Sequence, residues 1–187
     1  MTDTVHDNPT PWIADHIRRF EETGGRPRPG VADLLLTTRG RKSGLLRRTA
    51  LAYVRDEDAY VLTASNAGAD RHPAWYLNLL ATPEVTLQVG AATFTATARP
   101  ATAAESARLW PVAAMPSYAV YRTATTREIP LVVVQPDHVT DLVPEQRILG
   151  QLEGLGPVRL TQGRSNLTQS GRAGAETAQH AWVLEAD

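Results

Sequence analysis

Five cationic side chains, Arg39, Arg41, Lys42, Arg47 and Arg48, fall within ten residues, and Lys42 is the only lysine in the chain. Gly40, Ser43 and Gly44 stand among them. Glycine lets the backbone turn tightly and present its N–H groups, and serine adds a hydroxyl donor. Arginine forks match phosphate or carboxylate oxygens, and lysine adds a point charge. This is the chemistry of capturing a multiply charged anion. A solvated basic turn has the same composition, so the loop alone leaves both readings open.

Other chemistries are poorly represented. The chain has no cysteine, which removes disulfides, thiolate nucleophiles and zinc–thiolate sites together. His6, His16, His72, His138 and His180 are scattered without metal-ligand spacing, so no metal is expected. No Ser/His/Asp arrangement can be assembled. The net charge of −1 over 187 residues makes the basic loop a local feature, which argues against a nucleic-acid partner.

The elements that must position the loop follow from periodicity and punctuation. Residues 1–10 read as a disordered lead, too polar for a signal peptide. Pro11, Trp12, Ile13, Ile17 and Phe20 suggest an amphipathic helix ending near Gly24-Gly25, packed on a barrel or, alternatively, resting on a membrane through residues 11–23. Leu34–Thr38 is a strand running into the basic loop. Thr49–Val54 and Ala59–Ala64 flank a polar turn as a hairpin. Pro73 opens a helix through Leu80, and 85–89 with 94–98 form a second hairpin around Gly90. Thr102 and Glu105 have capping-box spacing for a helix over 101–114. Another short helix spans 116 to about 125, and 130–134 is a buried strand.

Five or six antiparallel strands with helices between them predict an α+β protein built on a closed barrel. Residues 137–187 are rich in Gly, Gln, Ser and Thr and read as an appended tail, partly or wholly disordered. No run of about 18 apolar residues exists, so a cytoplasmic location is the default, with contact at the inner face of the membrane as the alternative.

The order of motifs over residues 11–136 resembles the deazaflavin-dependent nitroreductase family, split-barrel oxidoreductases that use reduced coenzyme F420. The resemblance runs through Leu36–Gly44, Ala64-Ser65-Asn66-Ala67-Gly68-Ala69 and His72-Pro73-Ala74-Trp75-Tyr76-Leu77-Asn78-Leu79. It continues through Trp110-Pro111, Pro116-Ser117-Tyr118 to Tyr121, and Arg127-Glu128-Ile129-Pro130. It implies a split β-barrel of the FMN-binding type, mainly antiparallel, over 11–136.

It also implies a site. Arg41, Lys42, Ser43 and Gly44 would hold the coenzyme phosphate, aided by whichever of Arg47 and Arg48 faces the groove. Ala64, Ser65, Asn66, Ala67 and Gly68 would line the ring, and Pro73, Trp75 and Tyr76 would pack near it. Asn66 stands where family members often carry lysine, and Met115 where some carry tyrosine. The implied reaction passes a hydride from F420H2 to a quinone, enone or nitroaromatic acceptor. Such a reaction needs positioning and charge stabilisation and no protein nucleophile. Tyr118 and Tyr121, three apart on one helix face, can stack on a planar acceptor and donate to its oxygen, with Ser65 as a second donor. Packing at the barrel mouth is the plainer role for both tyrosines. FMN in the same barrel and a non-catalytic F420 carrier are the competing readings, and a homodimer is left open.

Overall fold

The computed structural model of the protein describes residues 4–113, 116–137, 159–163 and 181–185. The first strand, β1 (Val5–Asp7), precedes helix α1 (Pro11–Glu22), and β2 (Asp33–Arg39) leads through the basic loop into the long β3 (Leu46–Asp56). Then come β4 (Ala59–Thr63), a short turn over Asn66–Gly68, α2 (Ala74–Ala81), β5 (Glu84–Val89) and β6 (Ala92–Pro100). Helices α3 (Ala103–Ala113) and α4 (Pro116–Ala124) precede β7 (Leu131–Pro136).

Six strands close on themselves in the order β3-β2-β5-β6-β7-β4, every neighbouring pair antiparallel, with β4 returning to β3. This is the closed barrel anticipated from the sequence. Its interior takes alternate residues of each strand: Leu34 and Leu36, Tyr60 and Leu62, Val85 and Leu87, Ala96 and Ala98, Val132 and Val134.

The outer face is covered too, which is why β2 and β7 read as unbroken apolar runs. Ile17 and Phe20 of α1 pack on Leu35 and Ala50, and burial of each stabilises by about 1.5–3 kcal/mol. Leu109 and Ala113 of α3 cover Val61, Leu131 and Val133. Because α1 spends its apolar face on the barrel, only Trp12, 64% exposed, remains among its large apolar residues for any membrane contact through 11–23. The capping box of α3 is present: Glu105 N–H donates to Thr102 Oγ1 at 3.2 Å, and Thr102 N–H to Glu105 Oε2 at 2.8 Å.

Residues 1–10 were expected to be disordered, yet Val5–Asp7 pairs in parallel with Leu46–Arg48 of β3. Three residues carry no readable period; the free edge of β3 supplies their partner, and Arg48 clamps Asp7 at 2.6 Å. The chain divides into two compact units, Met1–Val143 and Pro144–Asp187. In the second, β8 (Arg159–Gly163) pairs antiparallel with β9 (Ala181–Glu185). The rest of the expected disordered tail lies outside the described residues.

Candidate active site

The basic loop folds as a tight reversal between β2 and β3. Gly40 N–H donates to Leu45 O at 2.8 Å and Gly44 N–H to Gly40 O at 2.7 Å. A Cβ on Gly40 would meet Ser43 Oγ at 2.7 Å and Leu45 O at 3.2 Å, so any side chain there must displace the serine hydroxyl and crowds the turn. Arg39 closes it by donating to Gly44 O at 2.8 Å. The main-chain N–H of Arg41 donates to the buried Asn78 Oδ1, whose Nδ2 in turn donates to Thr38 Oγ1 at 3.1 Å. One α2 side chain thus ties the loop to the end of β2. Among the described residues the N–H groups of Lys42 and Ser43 have no partner, and both residues face a cleft of about 800 Å³.

The cleft exists because β3 is longer than its neighbours. One edge of β3 pairs with β1 up to Arg48 and with β4 from Tyr53 onward, leaving Thr49–Ala52 unpaired between them. Arg48 O accepts from Asn8 N–H on that edge, whereas Tyr53 N–H turns toward Ala32 O and β2. Alternation then aims the N–H and C=O groups of Ala50 and Ala52 at the cleft, which both residues line. A strand edge so presented hydrogen-bonds a flat ligand along its rim.

The opposite wall is the loop after β4. Asn66, Ala67 and Gly68 all take positive φ, at 49°, 51° and 78°, a costly conformation for the two residues that carry a Cβ. Arg127 holds it. Its guanidinium donates to Ser65 O at 2.6 Å, Ala64 O at 3.2 Å, Ala69 O at 2.8 Å and Glu128 O at 3.0 Å, and reaches His72 Nδ1 at 3.3 Å. Burial pulls the guanidinium below its ordinary range. Asn66 adds a bond from Nδ2 to Arg71 O at 3.0 Å.

Of the residues singled out from the sequence, Arg41, Lys42, Ser43, Arg47, Arg48, Ser65, Asn66, Ala67, Pro73, Trp75 and Tyr121 line this cleft. The pair Arg47 and Arg48 separates by strand parity. Arg48 lies on the outer face, bound to Asp7 at 2.6 Å and Glu21 at 2.8 Å, whereas Arg47 turns toward the basic loop, its Cγ 3.7 Å from where a Gly40 Cβ would stand. Four other candidates stand outside the cleft lining. Ala64 points into the barrel core and Tyr76 is likewise packed inside, where burial raises its hydroxyl pKa. Gly68 lies under α4, where a Cβ would stand 3.2 Å from Tyr121 Cα, so it seats the helix instead of lining a ring. Gly44 sits at the loop tip with φ +70° and nothing near its Cβ position. Tyr118 belongs to α4, but its side chain lies outside the described residues, as does Met115.

Asn78 and Arg127 carry the site's geometry and were not singled out as functional. A polar residue on the otherwise apolar α2 was the available signal for Asn78; Arg127 falls in the motif Arg127-Glu128-Ile129-Pro130, but its role depends on Ala64 and Ser65, about sixty residues away in sequence. Among the described residues no cluster of His, Asp or Glu can hold a metal ion, and no helix is long and apolar enough to cross a membrane.

Comparison with known proteins identifies what this arrangement is shared with. A sequence model of the F420H(2)-dependent quinone reductase family matches residues 12–136. The chain belongs to this family. An F420H(2)-dependent quinone reductase of Mycobacterium tuberculosis is 42% identical over 112 residues, which cover 57% of this chain and 75% of the relative. A second M. tuberculosis protein, similarly named, is 35% identical over 111 residues covering 58% and 93%. The solved structure of an F420-H2 dependent reductase aligns with a TM-score of 0.51 at 38% identity, covering 56% of this chain and 94% of that one. Another solved structure, described as a domain-swapped dimer, aligns at 0.53 with 36% identity, covering 68% and 100%. The family is one of enzymes dependent on F420H2, and its barrel is the one described above.

The residues present fit such a coenzyme. Lys42, Arg41 and two N–H groups unpartnered among the described residues suit a flexible anionic arm, and the β3 edge at Ala50 and Ala52 suits a planar polar ring.

Proposed function

We propose that this chain binds F420H2 in the cleft between β3 and the Ser65–Gly68 loop and reduces a quinone there. The observation that carries the reading is the meeting, in one cleft, of the cationic N–H-lined loop and the unpaired edge at Ala50 and Ala52. When bound, the deazaflavin supplies the hydride.

The protein's part is positional and electrostatic. Arg41, Lys42 and Ser43 hold the phosphate and neighbouring carboxylates, with Arg47 as the further cation; Arg48 is committed to its ion pairs. Ala50 and Ala52 bond the ring edge through their backbone. Ser65, Asn66 and Ala67 form the facing wall, and Pro73 with Trp75 shapes its end. Tyr121, on the helix seated by Gly68, and Tyr118 donate to the acceptor oxygen that gains charge. Enones and nitroaromatic rings share the electron-poor, oxygen-bearing character of quinones and are proposed as secondary acceptors. A homodimer is proposed from the similarity to the domain-swapped dimer, and light scattering of the purified chain tests it.

The deciding experiment is a fluorescence titration with F420 beside one with FMN, followed by oxidation of F420H2 with menadione. Binding of F420 in preference to FMN, with turnover of menadione, is the expected result. Preference for FMN would replace the coenzyme, and F420 binding without turnover would leave a carrier.

A further inference from the structure

Arg127 does more than support the loop, because one of its contacts dictates where a proton sits. Its Nη1 lies 3.3 Å from Nδ1 of His72. A guanidinium only donates and has no lone pair to offer. The contact is therefore a hydrogen bond only if Nδ1 is the bare, accepting nitrogen, and a neutral imidazole then carries its proton on Nε2. Protonating Nδ1 would set two donors against each other. The same fork that holds Ser65 O at 2.6 Å thus holds His72 in one tautomer.

The ring is also fixed in place. It packs on Tyr76 with centroids 5.0 Å apart and follows directly after Arg71, whose carbonyl Asn66 holds. His72 is half-buried and lines the cleft beside Ser65, Asn66 and Pro73. Burial, and then the positive charge of Arg127, lower its pKa, with Glu128 opposing weakly; both lowering causes favour the neutral form. With Nδ1 committed to Arg127, Nε2–H is the hydrogen-bonding group the ring has left for a ligand.

We propose that His72 is a ligand-binding residue of this cleft, donating its Nε2–H to a carbonyl oxygen of a ring bound there, and that Arg127 is the positioning residue that sets this tautomer. The proposal rests on the reading of the cleft as the coenzyme site. His72 does not relay protons: with a cation against Nδ1 it has no second site to load, so it donates a hydrogen bond and keeps its hydrogen. Ring carbonyls occur both on the pyrimidinedione of a deazaflavin and on a quinone, and the two sources give different experimental outcomes.

The first test needs no coenzyme. In the full chain labelled with 15N-histidine, nitrogen NMR at neutral pH should show His72 with an unprotonated Nδ1 and a protonated Nε2, and Arg127→Lys should lose that pure tautomer. An Nδ1–H tautomer or an imidazolium in the unchanged chain would overturn the proposal. Because this spectrum is independent of F420, it can fail or hold separately from the functional reading, which the titration of the unchanged chain decides.

The second test compares His72→Phe, which removes the donor, with His72→Gln, whose amide N–H can replace Nε2–H. If the oxygen belongs to the coenzyme, His72→Phe raises the F420 Kd by about tenfold. If it belongs to the acceptor, the Kd stays within about twofold and kcat/KM for menadione falls by about tenfold. In either case His72→Gln recovers most of the loss. A His72→Phe protein matching the unchanged chain in both quantities, or a His72→Gln protein as impaired as His72→Phe, would overturn the assignment. Should His72→Phe fail to fold, the 15N spectrum of the unchanged chain is recorded again with F420 and with menadione added, and an Nε2 resonance that shifts with neither overturns the assignment.

Discussion

Asn78 Oδ1 accepts the main-chain N–H of Arg41 at 3.2 Å, so a buried helix side chain sets the orientation of the exposed basic loop. The same amide donates to Thr38 Oγ1, which is buried as well. Replacing Asn78 by leucine strands the Thr38 hydroxyl and frees the loop. The expected outcome is a loss of about 1–3 kcal/mol in unfolding free energy and F420 binding weakened by about tenfold. Denaturant unfolding and coenzyme titration measure the two separately. Unchanged affinity in a destabilised protein would show that the loop keeps its shape unaided.

Charge reversal at Lys42 tests the loop directly. Lys42→Glu sets a repulsive charge beside the coenzyme phosphate and should weaken F420 binding by more than about tenfold at low salt. The deficit should shrink as salt is raised, because Lys42 is exposed and its field is screened. An unchanged dissociation constant at fixed salt would remove the loop from the coenzyme site.

Gly68 makes a different kind of demand. Its φ is +78°, and an added Cβ would stand 3.0 Å from Ala124 Cβ and 3.2 Å from Tyr121 Cα. Gly68→Ala therefore combines a left-handed alanine with a push against α4, at a cost of about 1–3 kcal/mol. Tyr121 should move with the helix, so menadione turnover should fall more than F420 affinity. Equal stability by thermal unfolding would contradict the close approach.

Acid stability has a local origin at α3. Glu105 has a pKa lowered from 4.5 to about 2, first by the hydrogen bonds from Arg99 and then by the N–H of Thr102. A carboxylate depressed in the folded state stabilises above its unfolded pKa and loses that contribution as pH falls toward the folded value. Glu105→Gln should accordingly lower Tm near neutral pH, with the gap to the unchanged chain closing between about pH 4.5 and pH 2. Thermal melts across that range read it out. A gap that persists undiminished at the acid end would assign the effect to packing.

Much of this protein is legible along the chain, because the informative contacts are local. The run Leu34-Leu35-Leu36 announces a strand covered on both sides, Thr102 and Glu105 cap a helix within one turn, and Gly40 and Gly44 mark a reversal. The ordered motifs from Leu36 to Pro130 point to the family because each is a short contiguous piece. What stayed hidden depends on residues that meet from afar. Val5–Asp7 becomes a strand only because β4 leaves part of the β3 edge free. Arg47 and Arg48 are equivalent in sequence until Asp7 and Glu21 claim one of them.

Composition and spacing by themselves determined that this chain forms a barrel with a basic, glycine-punctuated loop at one strand end, since turn chemistry and side-chain alternation act over a few residues. Tertiary structure alone decided which backbone groups face the cleft, which arginine is left for a ligand, and which nitrogen of His72 carries the proton. Those outcomes turn on hydrogen bonds such as Arg127 to Ser65 and to His72, between groups more than fifty residues apart, and no local propensity encodes them.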